Sequence, residues 1–182
     1  LGLSLRPFRS EVGNLLAGQQ DMSDLHIFTT GGTIDKVYFD ALSEFQVGES
    51  PLDAILREAN VAIDYQLTSL MKKDSLELTD EDRDAVFEAV SGCAEAQILI
   101  THGTYTMAQT AERLISIPKN TIVLTGAMQP ARLRSTDAIF NVGFAIAAAQ
   151  AKAPGIYIAM NGHVFEAGHV RKDRTAGRFV RS

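Results

Sequence analysis

The sequence contains a single cysteine, Cys93, among its 182 residues. One cysteine excludes an internal disulfide and any metal site built from several cysteines. The four histidines form no H-E-x-x-H pattern and no paired spacing typical of zinc ligands. The sequence therefore predicts no metal site. The low cysteine content is compatible with a reducing compartment, and the expected location is the cytoplasm.

Long stretches of one chemical character are also absent. No uncharged apolar run approaches the roughly 20 residues needed to span a membrane, which argues against a membrane protein. The net charge is −5 and no basic tract is longer than a few residues, which argues against nucleic acid as the main partner. The most basic segment, residues 171–181, is interpreted as mostly a solvated chain end.

The composition is that of a globular chain. Hydrophobic residues make up 46% and charged residues 21%, and 182 residues suffice for one domain with a full core. The chain begins with Leu1, and Met22 stands just before the first apolar run. We therefore interpret residues 1–21 as a leader or artificial extension outside the fold, and residues 22–182 as one α/β domain.

Short apolar runs alternate with helical patterns, which is typical of βαβ units and a parallel sheet covered on both faces. The sequence therefore predicts a three-layer α/β fold with a mostly parallel sheet. The predicted strands are residues 25–28, 61–70, 97–100, 121–124 and 155–159, and the predicted helices are residues 51–60, 79–91, 107–116 and 137–150.

Local signals mark several boundaries of these elements. Ser50 followed by Pro51 is typical of a helix start, and Thr79 with Asp82 resembles a capping box. Pro118 is expected to stop the chain after the third helix. Residues 35–48 are predicted to be a loop over the cleft at the sheet edge.

Three of the predicted strands end in turns that contain glycine and a hydroxyl residue. These turns are residues 30–34 (TGGTI), 101–104 (THGT) and 125–128 (TGAM). The carboxyl ends of parallel strands share one edge of a sheet, and open α/β folds place their chemistry there. The sequence therefore predicts a functional site where these turns meet.

The glycine turns do not fit nucleotide binding, because both the P-loop spacing and the G-x-G-x-x-G spacing are missing. A G-x-S-x-G elbow is missing too. The remaining chemistry lies in the hydroxyls of Thr33 and Thr104, which need a base to act as nucleophiles. A lysine with a depressed pKa can supply it, and Lys36, Lys72 and Lys172 are in reach. The residues alone leave open that these threonines are ordinary turn residues and these lysines surface residues.

Taken together and in order, these motifs resemble the two signatures of bacterial-type L-asparaginases. Either signature alone is weak, whereas both with the right surroundings are highly specific. The resemblance runs from about residue 24 to the end. It rests on residues 30–34, 74–79, 101–107, 124–128 and 160–172. The chain resembles a short member, without the second C-terminal domain of longer relatives.

The resemblance implies hydrolysis of L-asparagine to L-aspartate and ammonia without a metal or cofactor. It implies that Thr33 is the nucleophile of an acyl-enzyme and that Thr104 works with Lys172 to activate water or relay a proton. Tyr38 is expected to orient the nucleophile, although Phe45 lies nearer the family's usual tyrosine by spacing. The expected substrate-binding residues are Gly32, Asp74, Ser75, Gly103 and Tyr105. A homo-oligomer, dimer or tetramer, is expected from the family.

One position departs from the family pattern, because Tyr105 stands where the signature H-G-T-D-T has aspartate. That aspartate normally binds the substrate's ammonium group beside the lysine. Its loss is worth about 2–3 kcal/mol, or roughly a hundredfold in transition-state binding, and is expected to lower the pKa of Lys172. We therefore expect reduced or absent asparaginase activity. Two alternatives stay open: a non-catalytic module that binds an amino acid or a partner, and a tRNA-dependent amidotransferase subunit.

Overall fold

The structure, a computed structural model, describes residues 23–39, 44–117 and 119–182. The strands are Leu25–Gly31 (β1), Lys36–Phe39 (β2), Glu44–Val47 (β3), Tyr65–Lys73 (β4), Gln97–Thr101 (β5), Thr121–Thr125 (β6), Gly155–Met160 (β7), His163–Glu166 (β8), Val170–Asp173 (β9) and Arg178–Arg181 (β10). The helices are Leu52–Glu58 (α1), Asp80–Ser91 (α2), Met107–Arg113 (α3) and Ala138–Ala151 (α4), and a 3₁₀ turn covers Thr33–Asp35.

Six strands form the central sheet in the order β4-β1-β5-β6-β7-β8. The first five are parallel, and β8 returns antiparallel to β7. The chain leaves β1 to one side to form β4 and then crosses to the other side to form β5. This reversal places a switch point at the carboxyl ends of β1 and β5, where open α/β sheets bind ligands. The prediction of a mostly parallel α/β sheet is confirmed.

The core lies on both faces of this sheet. Ile98 and Ile100 of β5 belong to one apolar cluster with Val86 and Val90 of α2. The intervening Leu99 belongs to the other cluster, which contains the buried alanines of α4. Alternate residues of a strand point to opposite faces, so a strand covered on both sides is apolar throughout. Packing on both faces therefore fixes the strands, and with them the positions of the strand ends at the carboxyl edge of the sheet.

Helix α2 begins and ends where the sequence predicts. The Thr79 hydroxyl accepts the Asp82 N–H at 3.3 Å, and the Thr79 N–H donates to Asp82 Oδ2 at 2.9 Å, which completes the capping box. Gly92 follows its last turn. The start of α1 differs from the prediction for Ser50 and Pro51, because Pro51 itself occupies the N-cap position and no side chain caps the helix.

Other elements depart from the sequence predictions. The loop predicted over residues 35–48 is a hairpin of β2 and β3, whose described part pairs Lys36 with Val47 and Tyr38 with Phe45. Cross-strand pairing, including an edge-to-face aromatic pair, outweighs the turn signals there. The strand predicted over residues 61–70 is shifted to β4, Tyr65–Lys73, since residues 61–63 pack before the ladder begins. Helix α3 ends at Arg113, before residue 116.

The basic segment near the end of the chain forms a hairpin, and its basic side chains are mostly solvated as interpreted, since Lys172 is half-buried and the four arginines are exposed. β9 and β10 form an antiparallel hairpin, and Val170 and Phe179 insert into the core cluster shared with α2 and α3. These two apolar residues anchor the hairpin, which holds the charged side chains between them at the sheet edge. The predictions for residues 1–21 and for Pro118 lie outside the described residues. None of the described helices is long and apolar enough to cross a membrane.

Candidate functional site

The β1 and β5 turns approach each other so closely that only glycine fits. Gly31 and Gly32 have φ of 98° and 88°, a conformation that favours glycine. A Cβ at Gly32 would collide with the Gly103 Cα, and a Cβ at Gly103 would lie 2.5 Å from the Ser75 Oγ. The turns after β1, β4 and β5 therefore pack backbone against backbone. Thr33 and Thr104 follow directly on this packed unit.

A cleft of about 380 Å³ opens at this point. It lies between the ends of the parallel strands and the β9–β10 hairpin. Its lining residues are Thr33, Lys36, Thr104, Tyr105, Met128, Lys172, Arg174 and Gly177. The structure thus brings Thr33, Thr104, Tyr105 and Lys172, which the sequence singled out, to one cavity. Among the described residues, the Thr33 hydroxyl forms no hydrogen bond, which leaves it free toward a ligand.

Lys172 and Thr104 form the central contact of the cleft. The Lys172 Nζ donates to the Thr104 Oγ1 at 2.7 Å, although the two residues are 68 positions apart in sequence. Burial and the positive charge of Arg174 lower the pKa of Lys172, against the opposing effect of Asp74. A lysine that loses its proton more readily can accept one from a hydroxyl, so this pair can act as a base.

Tyr105 lies beneath these cations. The Lys172 Nζ is 3.8 Å from the centroid of the Tyr105 ring, and the Arg174 guanidinium carbon is 5.4 Å from it. An aromatic face attracts a cation through its quadrupole, more weakly than a carboxylate would. The ring therefore holds Lys172 in place without supplying a negative charge to the cleft.

Ser75 connects the β4 and β5 turns. It is buried, its Oγ accepts the Tyr105 N–H at 3.3 Å, and its carbonyl accepts the Thr106 hydroxyl at 2.7 Å. The neighbouring Asp74 accepts Lys36 Nζ at 2.7 Å and the Leu76 N–H at 3.1 Å. Burial opposes ionisation of Asp74, but these two partners hold its pKa below the usual value. Asp74 and Ser75 thus lie beside the cleft, with the Asp74 charge already paired.

The remaining predicted side chains lie outside the cleft. Tyr38 is exposed on β2 and packs edge to face on Phe45 at 5.5 Å between ring centroids. Neither ring lines the cavity that contains Thr33. Lys72, the third lysine considered as a base, is exposed and pairs with Glu49. The structure therefore leaves Lys172 and Lys36 as the two lysines in the cleft.

His102, in the turn that follows β5, has contacts typical of a structural residue. It is fully buried, with Nδ1 2.7 Å from the Gly103 carbonyl oxygen and Nε2 2.8 Å from the Thr110 hydroxyl. Burial lowers the pKa of His102 to about 4, so the ring is neutral at neutral pH. It fixes the turn before Thr104 to the first turns of α3.

Asp35, two residues after Thr33, is a buried carboxyl that the sequence did not single out. Its Oδ1 has no hydrogen-bond partner among the described residues. Burial and the nearby Glu49 raise the pKa of Asp35 to about 6 against the opposing effect of Ser50. The backbone carbonyl of Asp35 accepts the Gly48 N–H at 2.9 Å, so the group lies at the base of the β2–β3 hairpin.

This burial predicts a loss of stability as pH rises. Asp35 binds its proton more tightly in the folded state than its ordinary pKa of 3.8 implies. The contribution of the protonated Asp35 to the free energy of unfolding is therefore fully present below pH 4 and is lost as pH rises through about 6. The shift corresponds to about 3 kcal/mol. In urea unfolding, the wild type should lose that amount relative to Asp35→Asn between pH 4 and 7. Parallel stability profiles for the two proteins would refute this assignment.

Three residues that line the cleft are not among the predicted site residues: Arg174, Met128 and Gly177. The sequence places Arg174 and Gly177 in the segment interpreted as a solvated chain end, and Met128 in the third turn. The apolar residues Val170, just before the basic segment, and Phe179, within it, are the signal in the sequence that this segment packs on the core. The Met128 N–H donates to both Asp137 carboxylate oxygens at 3.0 Å, so the start of α4 fixes the third turn.

These observations define the class of the protein: a parallel α/β domain with two threonines and a lysine at the switch point of its sheet. Comparison with known proteins agrees with that class. The model of the N-terminal asparaginase family (Asparaginase, N-terminal) matches residues 24–179. The chain belongs to the asparaginase family.

Individual relatives give the extent of the match. A probable periplasmic L-asparaginase of Haemophilus influenzae is 30% identical over 176 residues, covering 90% of this chain and 50% of that protein. The crystal structure of a probable cytoplasmic L-asparaginase from Campylobacter jejuni superposes with a TM-score of 0.76 at 26% identity, covering 87% of this chain and 53% of that one. A glutamyl-tRNA(Gln) amidotransferase subunit from Methanococcus maripaludis is 35% identical over 104 residues, which cover 52% of this chain and 25% of that protein. The chain spans about half the length of the asparaginases it matches.

Proposed function

We propose that this chain is an L-asparaginase-type amidohydrolase that converts L-asparagine and water to L-aspartate and ammonia. The observation that carries the proposal is the 2.7 Å contact between Lys172 and Thr104 in the cavity that Thr33 lines. A hydroxyl nucleophile and a second hydroxyl paired with a lysine of lowered pKa are the groups that amide cleavage needs.

In the first half-reaction, the Thr33 hydroxyl oxygen attacks the side-chain amide carbon of the substrate. Its proton passes to the amide nitrogen through Thr104 and Lys172, the carbon–nitrogen bond breaks, and ammonia leaves. The product is an aspartyl ester on Thr33. Backbone N–H groups of the turn at Thr104 stabilise the oxyanion, a contribution that is often worth ~10²–10³ in rate.

In the second half-reaction, water attacks the ester carbon. The Thr104–Lys172 pair takes a proton from that water, and the proton is returned to the Thr33 oxygen as the ester bond breaks. L-Aspartate leaves and the free threonine is regenerated. The same pair serves both halves, because the base of one step is the acid of the other.

The packed turns support the proposed substrate contacts. Ser75, with the N–H groups near Gly32 and Gly103, holds the α-carboxylate, and the Lys36–Asp74 pair borders the cleft beside it. Tyr38 keeps its proposed role of orienting Thr33, a role that requires the β2–β3 hairpin to close over the cleft. The cytoplasmic location and a dimer or tetramer also remain proposals. The exposed Ile139 and Phe140 on α4 support self-association.

Tyr105 is expected to limit activity toward L-asparagine. Tyr105→Asp restores a carboxylate beside Lys172 and should raise kcat/KM for L-asparagine by about 100-fold, because one charge-assisted contact of about 2–3 kcal/mol returns. Ammonia release is the measurement. Tyr105→Asn is the matched control, since it removes the ring without adding charge and should gain little. Equal activity in the wild type and Tyr105→Asp would contradict this interpretation.

The second candidate function is a non-catalytic module that binds an amino acid or a partner. Tyr105, which occupies the carboxylate position and contacts Lys172, favours it. L-Asparagine would then raise the melting temperature without ammonia release from the wild type or from Tyr105→Asp. The amidotransferase alternative is weaker, because its match covers 52% of this chain and the net charge is −5.

A further inference from the structure

A second cluster of reactive side chains lies away from the cleft, near the amino ends of β1 and β5. His26 is the second residue of β1, and Cys93 and Glu95 lie between α2 and β5. His26 Nδ1 is 3.3 Å from the Glu95 Oε2, and the Cys93 Sγ is 3.1 Å from the same oxygen. The three possible ligand atoms all lie within 4.8 Å of one another.

We propose that His26, Cys93 and Glu95 bind a zinc ion. Zinc takes nitrogen, sulfur and oxygen ligands at about 2.0–2.3 Å, which places neighbouring ligands of a tetrahedral site about 3.3–3.7 Å apart. The observed separations of 3.1 Å and 3.3 Å are close to that spacing. The mixed donor set also favours zinc over magnesium or calcium, which prefer oxygen alone.

The surroundings orient two of the proposed ligands. The opposite ring nitrogen of His26, Nε2, is 2.9 Å from the Thr68 hydroxyl, a partner that fixes the ring and turns Nδ1 toward Glu95. Ser23 donates to the other carboxylate oxygen of Glu95 at 3.1 Å. His26 and Glu95 are thus each held by a residue outside the cluster, as ligands in known zinc sites are.

The charge balance of the cluster also fits a dication. His26 and Glu95 are each only 8% exposed, and no lysine or arginine nitrogen of the described residues pairs with Glu95. Zinc displaces the Cys93 thiol proton to solvent, and the resulting thiolate and carboxylate together neutralise the ion. A neutral buried site avoids the cost of an isolated buried charge.

The cluster faces a cavity of about 570 Å³ that Phe28 and Leu70 also line. This cavity has room for water as a fourth ligand, the arrangement of an open zinc site. His26 lies 69 positions before Glu95 in the sequence, so the three ligands do not form a short sequence motif. The site is separate from the cleft at the other end of the strands and does not depend on the proposed amidohydrolase activity.

The test uses the full chain without an affinity tag, stripped with a chelator and titrated with Co²⁺ and then Zn²⁺. We expect one ion per chain, a thiolate-to-cobalt absorption band that zinc abolishes, and a rise in melting temperature of about 5–10 °C at a hundredfold excess over Kd. Cys93→Ala and Glu95→Gln should lose both signals. Glu88→Gln, an exposed acid on α2, is the control that should keep them.

Cys93 is only partly buried, so Cys93→Ala should fold, and circular dichroism checks each variant before titration. The proposal is overturned if the wild type shows no zinc-dependent shift. It is equally overturned if Cys93→Ala keeps the full shift, because the ion would then be bound elsewhere.

Discussion

Thr33→Ala is expected to lower kcat for L-asparagine hydrolysis by ~10⁴-fold or more, because removing the nucleophile of a covalent mechanism leaves only binding and oxyanion stabilisation. The hydroxyl lines the cleft without a hydrogen-bond partner among the described residues, so its loss leaves no buried polar group unpaired. The free energy of unfolding should therefore change by less than about 0.5 kcal/mol. Ammonia release and urea unfolding give the two values. Because Tyr105 is expected to lower the starting rate, the comparison is made in the Tyr105→Asp background as well.

Thr33→Ser provides the matched control, since it keeps the hydroxyl and removes one methyl group. It should retain most of the turnover that the alanine variant loses. A Thr33→Ala protein that keeps turnover within tenfold of its parent would show that Thr33 is not the nucleophile.

Lys172→Met is expected to lower kcat by ~10³-fold, within the range that general acid–base catalysis contributes. Methionine preserves the length and much of the volume of the side chain, and it removes both the donor to Thr104 and the contact with the Tyr105 ring. The pH profile separates chemistry from packing. Because the pKa of Lys172 is lowered, activity of the parent protein should rise with pH as the amine of Lys172 deprotonates. The methionine variant should lack this rise of activity with pH.

Thr104→Val, alone and combined with Lys172→Met, tests whether Thr104 and Lys172 act together. If Thr104 and Lys172 act as one unit, each single substitution removes most of the same function, and the double variant is little worse than either single variant. Independent contributions that multiply in the double variant would contradict the proposed pair.

The sheet and the edge that carries the cleft could be predicted from the sequence because local and global signals agree there. Parallel strands buried on both faces are apolar throughout, and glycines at their ends mark close turns, so the amino-acid pattern alone could place residues 30–34 and 101–104 together. Thr33 and Thr104 do line one cavity. The family resemblance then singled out Lys172, which spacing alone offered only as one lysine among three.

The features that the sequence did not predict depend on contacts between segments that are distant in sequence. The position of Arg174 follows from the hairpin that Val170 and Phe179 anchor, and the start of β4 follows from its pairing with β1. The exposed position of Tyr38 follows from the pairing of β2 with β3, where cross-strand contacts replaced the expected loop. His26, Cys93 and Glu95 meet only after β1 and β5 pair, so their spacing carried no signal.

Location of the covalent intermediate tests the proposed mechanism most directly. The wild type and Tyr105→Asp are mixed with L-asparagine, quenched in acid, digested and examined by mass spectrometry. An aspartyl ester should appear on the peptide that contains Thr33 and be absent from Thr33→Ala. An ester on Thr104, or ammonia release with no ester and no dependence on Thr33, would contradict it.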